Sequence, residues 1–311
     1  MRILLTGGTG LIGQALCRYW QQQGHELWVW TRQPQQVASL CSGARGIAQL
    51  QSLEASGPLD AVINLAGAPI AERIWSTERR HLLWRSRVEL TRRLVDWMGQ
   101  QTTPARVFIS GSAVGWYGDR GEEWLTESSE PGHADFGSQL CVAWEQEAER
   151  ARQWGVRVAL LRTAPVLAPQ GGMLARLLIP FRLGLGGRLG NGQQWMPWIH
   201  LSDQVALIDH LLHQNNCSGP FNACAPEPVR NIEFTQTLAH ALHRPALLPV
   251  PAWALRLGLG EMSVLLLGGQ RLVPQRTQEA GFRWSYPDLS LALADLLHQG
   301  SSASAEIKPR L

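Results

Sequence analysis

The sequence has almost no lysine. Of its 28 basic residues only Lys308, close to the C-terminal end, is a lysine, and the others are arginines. A reaction that depends on a lysine within the folded body of the chain is therefore excluded by composition alone. Tyrosine is also scarce, with three residues in 311, whereas tryptophan is frequent, with 14.

The cysteines and histidines show no metal-binding or disulfide pattern. The cysteines are odd in number and scattered, and none forms a Cys-x-x-Cys pair: Cys17, Cys41, Cys141, Cys217 and Cys224. Such a set is typical of reduced, buried thiols. The nine histidines are dispersed and no His-Glu-x-x-His motif occurs, so we expect no metal site.

The charge balance argues against a nucleic acid or a membrane as partner. The net charge is +3 and the basic residues are spread along the chain, which is too weak a bias for a nucleic-acid surface. The most apolar late stretch, 250–267, contains Arg256 and Glu261 and is interpreted as a helix against a core. Because Met1 runs directly into a predicted strand, we expect no signal peptide and a cytoplasmic protein.

Strand and helix patterns alternate through the first half of the chain. Apolar runs at 2–6, 26–30, 59–65, 106–110 and 156–161 predict buried strands, and helical periodicity separates them at 11–22, 78–98 and 141–154. This order predicts an α/β fold with a doubly wound parallel sheet. We assign 1–163 to a dinucleotide-binding domain, 164–299 to a smaller mixed substrate lobe interleaved with the last strands, and 300–311 to a frayed tail. Later helices are predicted at 203–214, 232–242 and 289–297.

A glycine-rich loop follows the first strand. The segment Thr6-Gly-Gly-Thr-Gly-Leu-Ile-Gly13 spaces Gly7, Gly10 and Gly13 as GxxGxxG. The first glycine permits a tight turn, the second lets the backbone approach a pyrophosphate, and the third lets the helix pack on the strand. The helix N-terminus then offers free N–H groups to phosphate. We predict a dinucleotide site that includes these glycines with Thr9, Leu11 and Ile12; the alternative is an ordinary turn.

The end of the second strand indicates which dinucleotide binds. Binders of NAD usually carry an acidic residue there for the ribose 2′-hydroxyl. This strand ends in Thr31-Arg32, without an acid. A guanidinium at Arg32 can fork onto a 2′-phosphate and Thr31 can add a hydroxyl, which favours NADP(H). The alternative is that Arg32 is a solvated loop charge.

Several motifs together resemble the extended short-chain dehydrogenase/reductases, and more narrowly the YfcH-like "epimerase family proteins" among the sugar-nucleotide-epimerase-like members. They are the glycine loop, Asn64-Leu-Ala-Gly67, Ser110-Gly-Ser-Ala113 with Trp116-Tyr-Gly-Asp119, and Trp198-Ile-His-Leu-Ser-Asp203. The C-terminal segment is similar to that subgroup's end domain, in 231–235, 269–277 and 280–282. The likeness extends to about Leu297.

The resemblance implies an NADP(H) site made by the glycine loop, Thr31 and Arg32, and Leu65, Ala66 and Gly67. It also implies that Arg87 and Val166 lie beside the cofactor. The alternatives are a surface helix charge for Arg87 and a core side chain for Val166.

The same resemblance implies a catalytic residue pair that this chain lacks. Standard members use a Tyr-x-x-x-Lys pair, in which lysine holds the ribose and tyrosine exchanges a proton with the substrate. The segment that matches their catalytic helix has Phe136 and Leu140 at those two places, and no tyrosine of this chain is followed by lysine four residues later. A phenyl ring cannot transfer a proton, so the standard mechanism is excluded.

Two catalytic candidates remain. Ser112 matches the family's serine and can hydrogen-bond a carbonyl or hydroxyl; the alternative is a turn-forming serine. Tyr117 follows in a loop at the same sheet edge and is the remaining acid/base candidate, with aromatic packing as its alternative.

Two further features have both structural and functional interpretations. Asp203 is expected to N-cap the helix 204–214, with His200 in the strand before it, rather than to act in catalysis. The segment 186–192 with Trp195 and Trp198 is either a mobile flap whose tryptophans stack on a substrate ring or an ordered irregular loop.

Two functions are compatible with these features. One is an NADP(H)-dependent oxidoreductase or epimerase with a non-standard acid, acting on a carbonyl or sugar-nucleotide-like small molecule. The other is a catalytically silent NADP(H)-binding sensor or regulatory protein. The missing Tyr–Lys pair favours the second, whereas Ser112 and the tryptophan-rich segment favour the first.

Overall fold

The computed structural model describes residues 1–299, except for the side chains of 54–56 and 299. The segment 300–311, for which the sequence predicts a frayed tail, lies outside the described residues, and Lys308 lies there with it. Eleven strands are present in the described part of the chain: β1 Arg2–Thr6, β2 Glu26–Trp30, β3 Arg45–Ile47, β4 Ala61–Asn64, β5 Val107–Ala113, β6 Trp124–Leu125, β7 Arg157–Thr163, β8 Val166–Ala168, β9 Ile199–His200, β10 Gly219–Ala223 and β11 Arg271–Leu272.

The α-helices alternate with these strands in the first half of the chain and dominate the second. They are α1 Leu11–Gln22, α2 Val37–Leu40, α3 Thr77–Trp84, α4 Leu90–Gly99, α5 Phe136–Glu149, α6 Gly172–Arg182, α7 Leu201–His213, α8 Asn231–Ala241, α9 Ala252–Leu259, α10 Val264–Leu267, α11 Gln275–Glu279 and α12 Leu289–Gln299. A π-helical turn, Arg85–Glu89, joins α3 to α4. A 3₁₀ turn, Arg150–Trp154, extends α5.

The main sheet has seven strands in the order β10-β7-β5-β4-β1-β2-β3. The ladders of β1 with β2 and β4, of β2 with β3, and of β4 with β5 are all parallel. The chain therefore starts in the middle of the sheet, winds to one side through β2 and β3, and then to the other from β4 onward. This is the predicted doubly wound α/β fold, and the prediction is confirmed.

The chain divides into two compact units. Unit 1 comprises Met1–Ala113, Gln139–Arg162 and Val205–Phe221, and unit 2 comprises Val114–Ser138, Thr163–Gln204 and, within the described part of the chain, 222–299. The seven-stranded sheet belongs to unit 1 apart from the last residues of β7 and β10. The division at 163 and 164 that the sequence suggests stays a prediction.

Each unit has its own apolar core. In unit 1, β-strand residues such as Leu4, Val62 and Phe108 are fully buried and pack with Leu94 and Val95 of α4. Continuous apolar strands of this kind are buried on both faces, which is why they form the centre of a parallel sheet. In unit 2, the core is formed by helices α6, α8 and α12, with small two-stranded sheets, β6–β11 and β8–β9, at its side.

The helix ends differ from the sequence-based prediction in two places. The helix predicted at 141–154 begins earlier, at Phe136, because Asp135 accepts a hydrogen bond from the backbone N–H of Ser138 and caps it. The stretch 250–267 is not one helix against a core: it breaks at Gly260, and α9 buries no residue. No helix within residues 1–299 is long and apolar enough to cross a membrane.

Candidate functional site

The carboxyl ends of four neighbouring strands lie in register along one edge of the sheet in unit 1. Thr6 at the end of β1 is opposite Trp30 of β2 and Asn64 of β4, and Asn64 is opposite Ser110 of β5. In open α/β sheets, ligands bind outside these ends, where the strand order reverses. Here the reversal lies between β1 and β4, and the glycine loop leaves β1 at that point.

The glycine loop has a backbone that excludes side chains at two positions. Gly7 has a φ of +71°, and a Cβ atom there would lie 2.5 Å from the carbonyl oxygen of Leu65. A Cβ atom on Gly13 would lie 2.3 Å from the carbonyl oxygen of Gly7. Only glycine fits at either position, because the opposing atoms are backbone and cannot rotate away. The loop therefore keeps a narrow, side-chain-free crevice at the end of β1.

The N-terminus of α1 opens beside this loop without a capping side chain. Gly10 is the extended N-cap residue, with φ −81° and ψ 175°, and no side chain hydrogen-bonds to the first turn. The first turn, from Leu11 through Ile12 to Gly13, contains no acidic residue. Thr9 is held through its carbonyl oxygen, which accepts a hydrogen bond of 2.7 Å from the side chain of Gln14. Uncapped first-turn amides and the helix dipole together favour an anionic group such as a phosphate.

The end of β2 brings Thr31 and Arg32 to the same edge. The backbone N–H of Thr31 donates to Ile47, and its hydroxyl accepts from the N–H of Gln33. Arg32 is exposed, and among residues 1–299 it forms no ion pair and no hydrogen bond. Its guanidinium is therefore available for an anionic ligand, two residues beyond the strand position that pairs with Thr6.

Arg87 supports the segment that faces the glycine loop. It lies on the π-helical turn, and its Nη2 donates to the carbonyl oxygen of Ala68 at 2.9 Å. A Cβ atom on Gly67 would lie 2.9 Å from its guanidinium carbon, and the ring of Trp144 lies 5.5 Å away. Burial lowers the pKa of Arg87 to about 10, which still leaves the side chain charged at neutral pH. The contacts with Ala68 and Gly67 favour packing beneath the loop over a surface helix charge, and the place of Arg87 beside the cofactor stays a prediction.

A buried polar network ties the strand ends together. The hydroxyl of Thr6 donates to Asn64 at 2.7 Å and accepts from the backbone N–H of Ala66 at 3.1 Å. The Asn64 side chain donates in turn to Thr91 of α4, which also accepts from the indole N–H of Trp144. Each polar group thus has a partner, as burial requires. The network fixes the loop that holds Leu65, Ala66 and Gly67.

A second buried cluster lies at the end of β5. The hydroxyl of Ser112 donates to Glu145 Oε1 at 2.6 Å. Arg162, at the end of β7, donates from Nε to Oε1 and from Nη2 to Oε2 of the same carboxylate, both at 2.9 Å. All three residues are in unit 1 and buried. Ser112 is thus not a turn-forming serine but part of a charged cluster, and the sequence analysis identified neither Glu145 nor Arg162.

Comparison with known proteins identifies the family. The family model described as the NAD dependent epimerase/dehydratase family matches residues 3–224, and a domain of unknown function, DUF1731, matches residues 250–296. The chain belongs to the NAD dependent epimerase/dehydratase family. This confirms the resemblance to extended short-chain dehydrogenase/reductases and to their "epimerase family" subgroup.

The similar proteins include bacterial and mammalian members. The chain is 35% identical to "Epimerase family protein YfhF" of Bacillus subtilis over 96% of this chain and 98% of that protein. It is 36% identical to mouse "Epimerase family protein SDR39U1" over 96% of this chain and all of that protein. The crystal structure of human SDR39U1, isoform 2, with NADPH superimposes with a TM-score of 0.86 at 34% identity, over 96% and 99% of the two chains.

Helix α5 begins with the segment that the resemblance aligns with the family's catalytic helix, and neither Phe136 nor Leu140 has an ionisable side chain. Leu140 is buried and Phe136 is half-buried, both near the start of α5. Glu145 lies on the same helix, five residues after Leu140. The ionisable side chain that approaches Ser112 is Glu145.

Tyr117 and Val166 belong to unit 2, whereas Ser112 and the other predicted site residues belong to unit 1. The Tyr117 side chain is fully buried among Val114, Leu125 and Leu272, and its hydroxyl donates to Asn222 Oδ1 at 2.6 Å. This burial favours the packing role over the acid/base role. Val166 is half-buried in β8, and its place beside the cofactor stays a prediction.

The structure corrects the predicted role of Asp203. Helix α7 begins at Leu201, so Asp203 lies inside its first turn and is not the N-cap. Its carboxylate accepts the backbone N–H groups of Ser285 and Tyr286 at 2.7 and 2.9 Å. Burial raises the pKa of Asp203, and these two hydrogen bonds oppose that shift. A carboxylate used in this way caps a distant turn, which is a structural role.

His200 is likewise structural. Its ring stacks on Tyr286 with a centroid distance of 3.9 Å, and its Nε2 lies 3.2 Å from Asp295. Burial lowers the pKa of His200 to about 4, against the attraction of Asp295. The side chain therefore packs as a neutral ring against Tyr286 and helix α12 within unit 2.

Trp195 and Trp198, which follow the glycine-rich segment 186–192, are not free to stack on a substrate. Trp198 is buried in the core of unit 2. The ring of Trp195 is covered by the guanidinium groups of Arg230 and Arg271, each 4.4 Å from its centroid. The backbone of the segment is also paired, since Gly190 N–H donates to the carbonyl oxygen of Val250 at 2.8 Å. These contacts favour the ordered loop over the mobile flap.

The histidines, cysteines and acidic residues do not gather into a metal-binding cluster in the part of the chain that the structure describes. No group of three or more His, Cys, Asp or Glu side chains there could hold a metal ion. None of the five cysteines forms a disulfide, and all five are buried.

Proposed function

We propose that this chain binds NADP(H) at the glycine-loop edge of unit 1 and acts as an atypical epimerase-like oxidoreductase. Its substrate would be a small carbonyl or sugar-nucleotide-like molecule, processed without a Tyr–Lys pair. The proposal includes a cytoplasmic location and no nucleic-acid or membrane partner, in line with the weak, dispersed charge.

The exposed, unpaired Arg32 carries the choice of cofactor. NAD-type sites place a carboxylate at the end of β2, and a carboxylate there repels a 2′-phosphate. This chain has Thr31 and Arg32 instead, beside a crevice that only glycine can form. The human relative at 34% identity, whose crystal structure contains NADPH, supports the same choice.

The residues present fit a dinucleotide. The first turn of α1 and the crevice at Gly7 and Gly13 would hold the pyrophosphate, and Arg32 with Thr31 the 2′-phosphate. Leu65, Ala66 and Gly67, supported by Arg87, would form the opposite wall. The bound nicotinamide would supply the two-electron oxidation and reduction. Ser112 would hydrogen-bond the reacting oxygen of the substrate.

Reversing the charge at Arg32 tests this cofactor assignment. For Arg32→Glu we expect a rise in the Kd of NADPH of about 30-fold or more, because a charge-assisted fork becomes a repulsion, with little change for NADH. Isothermal titration calorimetry with both nucleotides measures this. Arg18→Glu, on the exposed face of α1, makes the same change of net charge and should leave both affinities unaltered. Equal loss of NADPH and NADH affinity in Arg32→Glu would contradict a 2′-phosphate contact.

A catalytically silent NADP(H)-binding protein is the second candidate. Phe136 and Leu140 favour it, since their side chains cannot exchange a proton. The hydroxyl of Tyr117 also favours it, because it is buried and donates to Asn222. Absorbance at the nicotinamide band during incubation with a panel of carbonyl and sugar-nucleotide compounds separates the two. Tight NADPH binding with no oxidation of NADPH by any compound would favour the silent protein.

A further inference from the structure

The hydroxyl group of Ser112 points its proton at one specific acceptor. A serine hydroxyl has one proton to donate and two lone pairs that accept. The 2.6 Å distance from Ser112 Oγ to Glu145 Oε1 is typical of a charge-assisted O–H···O⁻ bond, so the proton lies on the side of Glu145. Ser112 therefore has only lone pairs left for any other group.

The carboxylate of Glu145 is held in place and cannot readily rotate away from Ser112. Both of its oxygens are held by the buried guanidinium of Arg162, which makes a two-pronged contact at 2.9 Å on each side. The pair is only 4% and 8% exposed in its side chains, and a buried carboxylate is tolerated when such a partner balances its charge. Rotation of the carboxylate away from Ser112 would break these bonds. Arg162 thus fixes Glu145, and Glu145 fixes the orientation of the Ser112 hydroxyl.

We propose that Glu145 is a positioning residue that makes Ser112 a hydrogen-bond acceptor, so that the site selects a substrate through a hydroxyl group rather than a carbonyl group. This rests on the proposed function. An acceptor-only Ser112 pairs with an O–H donor, and it faces the oxygen of a ketone or aldehyde with lone pairs against lone pairs. The alcohol member of an alcohol–carbonyl pair is then the form that binds more tightly.

The same contacts give the alcohol's proton a path when it is oxidised. The substrate O–H bond breaks and its proton passes to Ser112 Oγ, while the original Ser112 proton passes to Glu145 Oε1. The hydrogen on the alcohol carbon would leave with its electron pair as a hydride to a bound oxidised nicotinamide, which would be the oxidant. The carboxylate becomes a carboxylic acid, and one proton has been taken up. In the reverse direction each transfer runs backward, and the alcohol regains its proton. The chain thus replaces the missing tyrosine by a serine and a carboxylate.

Infrared spectroscopy tests the central claim without a substrate. Carbon-13 glutamate is incorporated into the NADPH-loaded wild type and the Glu145→Gln variant, and their difference spectrum isolates the Glu145 band. We expect the band of an ionised carboxylate. A carbonyl band of a protonated acid would overturn the proposal, because a protonated Glu145 donates to Ser112 and leaves its hydroxyl free to donate. Glu147→Gln, two residues along α5, is the matched control.

A second variant covers the case in which Glu145→Gln does not fold. Ser112→Ala leaves the Glu145–Arg162 pair intact, and its difference spectrum against the wild type reports the loss of the serine hydrogen bond. We expect a shift of the carboxylate band. An unshifted band would show that Ser112 donates no hydrogen bond to Glu145 and would overturn the proposal.

Kinetics then test whether Glu145 acts through Ser112. For an alcohol–carbonyl pair that the wild type turns over, we expect Glu145→Gln to raise the KM of the alcohol about tenfold and to lower that of the carbonyl. In the Ser112→Ala background the same substitution should change either KM less than about twofold. A tenfold effect in both backgrounds would indicate a merely structural role and overturn the proposal. Failure of the wild type to bind NADPH would instead refute the proposed function, and the same infrared spectra recorded without nucleotide would still report the protonation state of Glu145.

Discussion

The glycine-loop edge of the sheet and the buried cluster of Ser112, Glu145 and Arg162 both lie in unit 1, but they are held together by different interactions. At the glycine-loop edge, Gly7 and Gly13 exclude side chains, and the polar groups that the edge presents are backbone amides of α1 and the exposed Arg32. At the end of β5, three buried side chains hold one another, and the charges of Glu145 and Arg162 are balanced away from water. The glycine loop requires that no side-chain atoms be present at Gly7 and Gly13. The charged cluster requires that each buried charge keep its partner. The two should therefore respond differently to substitution.

Removing Arg162 should give the largest effect. Arg162→Met leaves the carboxylate of Glu145 buried and unbalanced, and we expect the free energy of unfolding to fall by about 3–5 kcal/mol. Urea denaturation measures this change. Arg92→Met removes an exposed arginine that pairs with Glu147, and it should be close to neutral because Glu147 keeps its pair with Arg150. Similar losses in both variants would show that burial does not distinguish the two ion pairs.

Adding a single methyl group to the glycine loop should have the next largest effect. Alanine normally stabilises a helix relative to glycine, but at Gly13 its Cβ atom would overlap the carbonyl oxygen of Gly7. We expect Gly13→Ala to lower the free energy of unfolding by about 1–3 kcal/mol and to weaken NADPH binding. Gly258→Ala, inside α9 with no atom within 4 Å, should be neutral or stabilising. Wild-type stability and NADPH affinity in Gly13→Ala would contradict the close packing of this loop.

Arg87 combines features of both regions, because it is a half-buried cation that hydrogen-bonds to the backbone of the loop after β4. Arg87→Met removes its hydrogen bond to Ala68, and we expect the Kd values of NADPH and NADH to rise together, by about tenfold. Calorimetry with both nucleotides distinguishes this from Arg32→Glu, which should affect NADPH alone. A loss confined to NADPH would show that Arg87 contacts the 2′-phosphate itself.

The smallest effect is expected at Tyr117, which lies in unit 2. Tyr117→Phe removes the hydrogen bond to Asn222, which we expect to cost about 1 kcal/mol of stability. Turnover should persist if Ser112 and Glu145 handle the proton, and progress curves at the nicotinamide band follow it. A fall in the turnover rate by two orders of magnitude, with NADPH affinity retained, would return the acid/base role to Tyr117.

Local sequence patterns predicted much of the fold and the tightly packed glycine loop, whereas the cofactor residues stay a prediction. The apolar run before Gly7, the spacing of the glycines and the absence of an acid at Thr31-Arg32 are all contained in the first 32 residues. The α/β order followed in the same way from alternating strand and helix patterns. The predicted N-cap at Asp203 was wrong, because its partners, Ser285 and Tyr286, lie more than 80 residues away and leave no local signal.

What the sequence by itself determined is the presence of a glycine-lined crevice, the cation beside it and the impossibility of a Tyr–Lys pair. These follow from residue types at short spacing, since backbone sterics and composition act locally. Only the tertiary structure decided that Ser112, Glu145 and Arg162 meet and that Arg87 packs beneath a loop. Their partners come from β5, α5, β7 and the turn before α4, and the parallel sheet with its long crossovers brings together residues that are distant along the chain.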